Sequence, residues 1–378
     1  MIKKRYITLL LTVAAVFSAA AQHTNAEGTD SGRQSVPNAE PSSQVVFFDG
    51  EVSTHFDNTE YTGSDCGTSR TIFAVRLSPS LGFRWNRHHS VVAGVEMLKD
   101  FGSDKFIDDA KLVAYYRFDN GRYGAAAGIF GRHNLIGRYS RAFYSDSTLI
   151  YNSLVQGIAM HYKGRRSFAE FAIDWTGLYS ETTREQFRIL VSGGGVFGKF
   201  FDAGVSFSLQ HYANKKTFEG NVVDNLLLNP YIGARFTAFF DFDIRLSYLQ
   251  SLQRDRRTEE GWKAPMGGEL YFRISRWGVF IDNNLYVGKS LTPFWNALGK
   301  DGLPYADDLY TGDPFYGTEH RVYNRTGIGY ERKFLKDNLS VRAEMVLQCN
   351  GSKLYYQQLV GVSARICPTI YDKSKHKR

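Results

Sequence analysis

The sequence predicts an all-β chain, a closed antiparallel transmembrane β-barrel of about 16 strands, and three observations predict it. Apolar and polar residues alternate with period two in one segment after another between residues 45 and 366. Beyond the N-terminus no uninterrupted apolar run reaches the length of a transmembrane helix. The connections between the alternating segments run long, short, long, short along the chain. Tight turns on one rim and long loops on the other suit a membrane barrel, whereas a soluble sandwich has no reason to sort its loops that way.

The clearest segment is Asn338 to Gln348. Leu339, Val341, Ala343, Met345 and Leu347 share one face, and Arg342, Glu344 and Gln348 the other. In a membrane barrel the first face meets lipid and the second the lumen. The pattern opens at Val45 to Phe56, with Val46, Phe48, Val52 and Phe56 against Asp49, Glu51 and His55. It returns at Thr71 to Trp85, Val91 to Met97, Ala110 to Phe118, Tyr123 to Arg132, Leu154 to Tyr162 and Phe171 to Trp175. Phe187 to Phe197 is glycine-rich, which suits close approach within a sheet. Phe201 to Tyr212, Ile232 to Phe240, Phe242 to Tyr248, Met266 to Ile274, Val279 to Val287, a weaker Val322 to Arg332 and Val360 to Ile366 complete the set.

The ends are different. Lys3, Lys4 and Arg5 precede an apolar run from Ile7 to Phe17 and the small residues Ser18 to Ala21, which is the layout of a cleavable export signal over residues 1–21. Residues 22–44 lack large apolar side chains and read as a flexible periplasmic linker, and 367–378 as a basic periplasmic tail. These ends carry much of the net charge of +8, so no basic stripe runs along the body and nucleic acid is not an expected partner.

Short connections fall at 86–90, 119–122, 164–166, 198–199, 241, 276–278, 335–337 and 349–353, the last breaking the alternation by joining strands on the long-loop rim. In Asn120-Gly121 both residues suit positive φ. Trp85, Phe118, Tyr123, Tyr162, Phe197, Phe239, Phe240 and Trp277 gather beside the short turns, and Tyr179, Phe187, Tyr212, Tyr248, Tyr286 and Tyr355 beside the long loops. Two such girdles mark the membrane interfaces.

With an export signal ending Ala-Ala-Gln of a type common in Bacteroidota, residues 45–366 resemble a Gram-negative outer-membrane barrel of the porin-like kind. The resemblance is architectural, and it implies an outer-membrane location, assembly by the outer-membrane machinery, contact with outer-membrane lipid, and homo-oligomers as one option. The chain departs from it at its end, where Ile366 is followed by Cys367 and Pro368 in place of a terminal aromatic.

Strand parity turns Arg76, Arg84, Lys111, Arg117, Arg132, Glu170, Asp174, Arg235, Arg245, Arg342 and Glu344 inward, and these are the candidate pore-lining residues. A slight excess of inward cations predicts passive diffusion of small hydrophilic solutes with a weak anion preference. The loop 133–152 holds Leu135, Ile136 and Phe143, so it is expected to fold onto the barrel wall as a constriction presenting Arg138, Arg141 and Asp146. The alternative is a barrel with a blocked lumen whose extracellular loops, above all 289–321, bind a partner or ligand.

The sequence contains no G-x-S-x-G, H-E-x-x-H or C-x-x-C, and His133, His161, His211 and His320 lack ligand spacing. The expectation is a non-enzymatic chain without metal or cofactor; a hydrolase in the barrel wall would be visible only by geometry. Cys66 and Cys349 lie in the first and last connections of the long-loop rim, which meet when the sheet closes, and this predicts a disulfide between them.

Overall fold

The computed structural model describes residues 44–373, apart from 65–66, 68, 218–221, 257–260, 300–301, 303, 318 and 352. The export signal and nearly all of the linker expected over 1–44, together with the last five residues of the tail, lie outside this range.

Sixteen strands run from β1 (Val45–Glu60) through β2 (Arg70–Trp85), β3 (His89–Asp100), β4 (Asp109–Asp119), β5 (Tyr123–Gly131), β6 (Leu154–Lys163), β7 (Ser167–Gly177) and β8 (Gln186–Phe197). They continue with β9 (Phe201–Tyr212), β10 (Val223–Thr237), β11 (Asp241–Asp255), β12 (Met266–Arg276), β13 (Val279–Gly288), β14 (Val322–Phe334), β15 (Leu339–Asn350) and β16 (Lys353–Ile366). Each pairs antiparallel with the next, and β1 pairs with β16 over eleven residues from Gly50↔Ile366 to Glu60↔Tyr356. The sheet is therefore closed, and its backbone groups are satisfied internally, as a lipid environment requires.

Parity follows the expected pattern. On β15, Glu344, Val346 and Gln348 are buried toward the lumen, while Ala343 and Met345 are exposed on the outside. Glu331, Arg342 and Glu344 face one another across β14 and β15 on the inner side. Phe73, Leu81, Leu112, Ile158, Ile232, Leu246, Ile281 and Val360 form part of an apolar outer surface.

Several local expectations are corrected. β10 begins at Val223, nine residues earlier than its alternation suggested, because Asn225, Leu227 and Asn229 mix polar and apolar side chains on the inner face. Where Pro230 interrupts the β10–β11 pairing, the Asn229 side-chain amide donates to the Tyr248 carbonyl at 3.2 Å. At Asn120-Gly121 only Gly121 has positive φ, and the Asn120 carboxamide accepts from the Arg122 and Tyr123 amides instead. The tail is not wholly unpaired: Pro368 interrupts β16, and β17 (Thr369–Asp372) resumes pairing on β1, with Tyr371 opposite Val46. An aromatic therefore does stand in the last paired strand.

At the short-turn rim His89 shares a hydrogen bond with Tyr116 at 2.7 Å and stacks on Trp85, and Arg276 lies 3.8 Å from the Phe239 ring centroid. Two long loops turn inward from the other rim: L3 (132–153), with helix α1 (Asp146–Tyr151) capped by Ser145, and L7 (289–321), with the short helix α2 (Ala306–Leu309). They are bonded together. Ser145 N donates to the Thr311 carbonyl at 2.7 Å, Asp313 N to the Arg141 carbonyl at 2.8 Å, and the Thr311 hydroxyl to the Phe143 carbonyl at 2.7 Å. Phe143, Tyr144, Phe315 and Tyr316 from these loops join Phe130, Tyr286 and Tyr323 of the wall in a buried cluster inside the barrel.

Candidate functional site

Inside the barrel the inward charges are held by partners. Arg132 pairs with Asp174 at 2.9 Å and lies over the Tyr144 ring. Glu170 accepts from the Ile136 amide and from the Tyr139 hydroxyl, which ties L3 to the wall. Arg138 of L3 pairs with Asp202, which also receives Arg235 at 3.0 Å, and Arg138 reaches the Tyr231 hydroxyl. Gly204 makes room for that phenol, since a Cβ there would meet it. Arg76 donates to the Ile150 carbonyl and pairs with Glu96 at 3.8 Å, and Lys111 donates to the Tyr151 carbonyl at 2.6 Å. Arg117 pairs with Asp119, Arg245 with Asp243 and Arg342 with Glu344, while Arg84 lies over Phe47.

The sequence reading missed the centre of this network. Arg325 is 2 % exposed and reaches Glu344 at 3.1 Å, Asp282 at 3.5 Å and Asp146 of L3 at 3.8 Å. Gly327 beside it leaves space for the Glu344 and Asp282 carboxylates. The outer face of β14 carries Asn324 and Thr326, so its alternation is weak and does not mark Arg325 as inward. Arg141 bonds Asp146 at 2.6 Å. Burial alone would raise the Asp146 carboxyl, but Arg141 and then Arg325 outweigh it and hold the group down to about 2.

A second group of polar side chains lies on the outside. His211, at the long-loop end of β9, stands directly opposite Asp224 on β10, and its Nδ1 donates to Asp224 Oδ1 at 3.2 Å. Arg256, just past β11, clamps the same carboxylate with bonds of 2.6 and 2.9 Å. The imidazole lies 4.9 Å from the Phe187 ring, which stacks on Trp175 at 5.2 Å. Parity places these side chains on the outer face, because their neighbours Tyr212, Val223 and Gln210 point into the barrel. Among the described residues no hydroxyl or thiol is hydrogen-bonded to His211. An imidazole oriented by a carboxylate, with Nε2 left for a reacting group, has the arrangement of a general base. Its elements come from three strands, so no short motif could have revealed it. The signal available was three charged or titratable groups, two of them at outward positions near one rim, hidden because residues 213–229 read as loop.

A family model described as Lipid A 3'-O-deacylase-type matches residues 38–366. The chain belongs to that family. This overturns the expectation of a non-enzymatic chain, because the family is named for an ester-cleaving activity. No curated protein matches. Among solved structures the chain is similar in fold to OccK11 (OpdR) of Pseudomonas aeruginosa, with TM-score 0.50 and 8 % identity over 85 % of this chain and 96 % of that one. It is also similar to a loop-deleted OmpT of Vibrio cholerae, with TM-score 0.52 and 12 % identity over 85 % and 99 %. Pseudomonas aeruginosa OpdL gives TM-score 0.50 and 8 % identity over 87 % and 99 %. The fold is thus that of outer-membrane barrels of the porin kind.

The Cys66 half of the expected Cys66–Cys349 pair falls among the residues that the structure does not describe. Cys349 is a free thiol whose Sγ donates to the Gly351 carbonyl at 3.4 Å. Cys349 points to the outer face of β15, and at the start of the first loop Tyr61 receives the Gln348 amide while the Gly63 carbonyl receives Lys353.

Proposed function

We propose that this chain is an outer-membrane ester hydrolase that removes acyl chains from a glycolipid of the lipid A kind in the outer leaflet. The single observation that carries the reading is the His211–Asp224 pair, oriented and clamped on the lipid-facing surface at the long-loop rim. Membership of the deacylase-type family supports the reaction class.

In this reading His211 Nε2 takes a proton from a water molecule, and the resulting hydroxide bonds to the ester carbonyl carbon. The tetrahedral intermediate collapses, the acyl C–O bond breaks, and the imidazolium returns the proton to the leaving alkoxide. A free fatty acid and an alcohol result. Asp224 holds the ring in one tautomer and balances the imidazolium charge. Water serves as the nucleophile in this reading, because among the described residues no hydroxyl or thiol is hydrogen-bonded to His211. Trp175 and Phe187 offer acyl chains an apolar flank. Mass spectrometry of a lipid A-type glycolipid incubated with the reconstituted protein tests the reading: release of fatty acid is expected, and an intact lipid after prolonged incubation counts against it.

A second reading, passive passage of small hydrophilic solutes with weak anion preference, is favoured by partly exposed lumenal cations, Arg235, Arg245 and Arg342. Steady ohmic steps in planar bilayers would support it, and electrical silence would count against it.

A further inference from the structure

A cavity of about 310 Å³ opens at the long-loop rim, between the β7–β8 connection, the end of β9 and L7. Thr182, Arg184, Gln186, Tyr212, Lys215 and Asp308 line it. The Arg184 guanidinium lies 4.9 Å from the Tyr212 ring centroid, and the Tyr212 hydroxyl points to Asp308 at 3.5 Å. Lys215 is half-buried, and among the described residues no carboxylate pairs with it. Among the described lining residues two cations, Arg184 and Lys215, thus face one carboxylate, Asp308. The volume lies at the lower end of the roughly 300–1,000 Å³ of small-molecule sites, enough for one sugar unit and too little for a protein segment.

We infer that this cavity binds an anionic saccharide, a sugar carrying a phosphate or carboxylate substituent. Lys215 and Arg184 take the anionic group, Arg through its planar donor fork and Lys as a point charge. Asp308 accepts from sugar hydroxyls, and Gln186 and Thr182 both donate and accept. The source is either the headgroup of an outer-leaflet glycolipid or a free sugar phosphate, since both present the same chemistry. The site stands apart from the hydrolytic pair: Tyr212 and His211 are adjacent in sequence but point to opposite faces of β9, and binding can be measured without turnover.

The test is calorimetry on the purified full chain in detergent micelles, with glucose 6-phosphate, glucose and inorganic phosphate as probes. Competition follows, with nanodiscs of phosphatidylethanolamine alone or with a phosphorylated glycolipid. Saturable binding of glucose 6-phosphate is expected, with glucose and phosphate each weaker by about tenfold or more. Lys215→Gln should weaken it by about tenfold, the effect of one lost charge-assisted contact. Unchanged heat-modified gel mobility checks that the variant is folded. Loss of sugar phosphate binding in the presence of the glycolipid nanodiscs alone assigns the lipid source, and retention assigns the free sugar. Absence of saturable binding to both glucose 6-phosphate and the glycolipid overturns the inference, as does equal binding by Lys215→Gln or by unsubstituted glucose.

Discussion

His211 and Asp224 stand opposite each other across the β9–β10 seam, the imidazole Nδ1 donating to the carboxylate at 3.2 Å on the outside of the barrel. A hydrogen-bonded acid–base pair on a lipid-facing wall costs desolvation that an aliphatic pair would not.

If that pair activates water, His211→Gln should lower fatty-acid release by roughly 10²–10⁴-fold, the usual contribution of a general base. Asp224→Asn should lower it too, because the orienting acceptor is gone. Both variants should keep wild-type resistance to unfolding in detergent. Mass-spectrometric rates matching wild type in either would remove the pair from the mechanism.

Arg325 is shared by Glu344, Asp282 and Asp146 at a site with almost no solvent access. Arg325→Ala should destabilise the barrel by up to about 3–5 kcal/mol, because Glu344, Asp282 and Asp146 lose their shared cation and each keeps only its second partner, Arg342, Arg273 or Arg141. Denaturant unfolding in detergent reads this, and adding Glu344→Gln should restore part of the loss. A double variant no more stable than the single one would place the cost elsewhere.

The Asp146 carboxyl titrates near 2 in the folded chain against 3.8 in its unfolded reference. Because the folded value is the lower, the unfolded chain binds more protons between the two. The stabilisation of L3 is therefore complete above about pH 4 and is lost as pH falls through about 2. Pepsin cleavage within L3 should rise over that window and be flatter in Asp146→Asn. Identical profiles for the two proteins would dismiss the link.

Cys349, a free thiol that among the described residues bonds only the Gly351 carbonyl, should be alkylated without prior reduction. Peptide mapping under non-reducing conditions checks this, and a recovered Cys66–Cys349 peptide would contradict it.

L7 fills lumenal space with Leu291, Phe315 and Tyr316 and is bonded to L3. Deleting residues 291–317 should raise single-channel conductance several-fold if the barrel conducts around these loops. Conductance equal to that of the full chain would show that L7 does not limit passage.

Much of the fold lay open in the chain itself. Leu339, Ala343 and Met345 against Arg342 and Glu344 is a local pattern, fixed by the two-residue repeat of a strand, and closure follows because lipid cannot satisfy an open edge. The inward direction of Arg132, Glu170 and Asp174 came from the same parity, and that of Arg138 from the apolar residues Leu135, Ile136 and Phe143 of its loop. Which groups meet was decided only by the tertiary structure. Arg325 gathers carboxylates from β13, β15 and L3, and His211 meets Asp224 because the β9–β10 register sets those two positions opposite. Parity needs only the residue before and the residue after, whereas register and loop docking depend on how distant strands close and on what their inner faces leave room for.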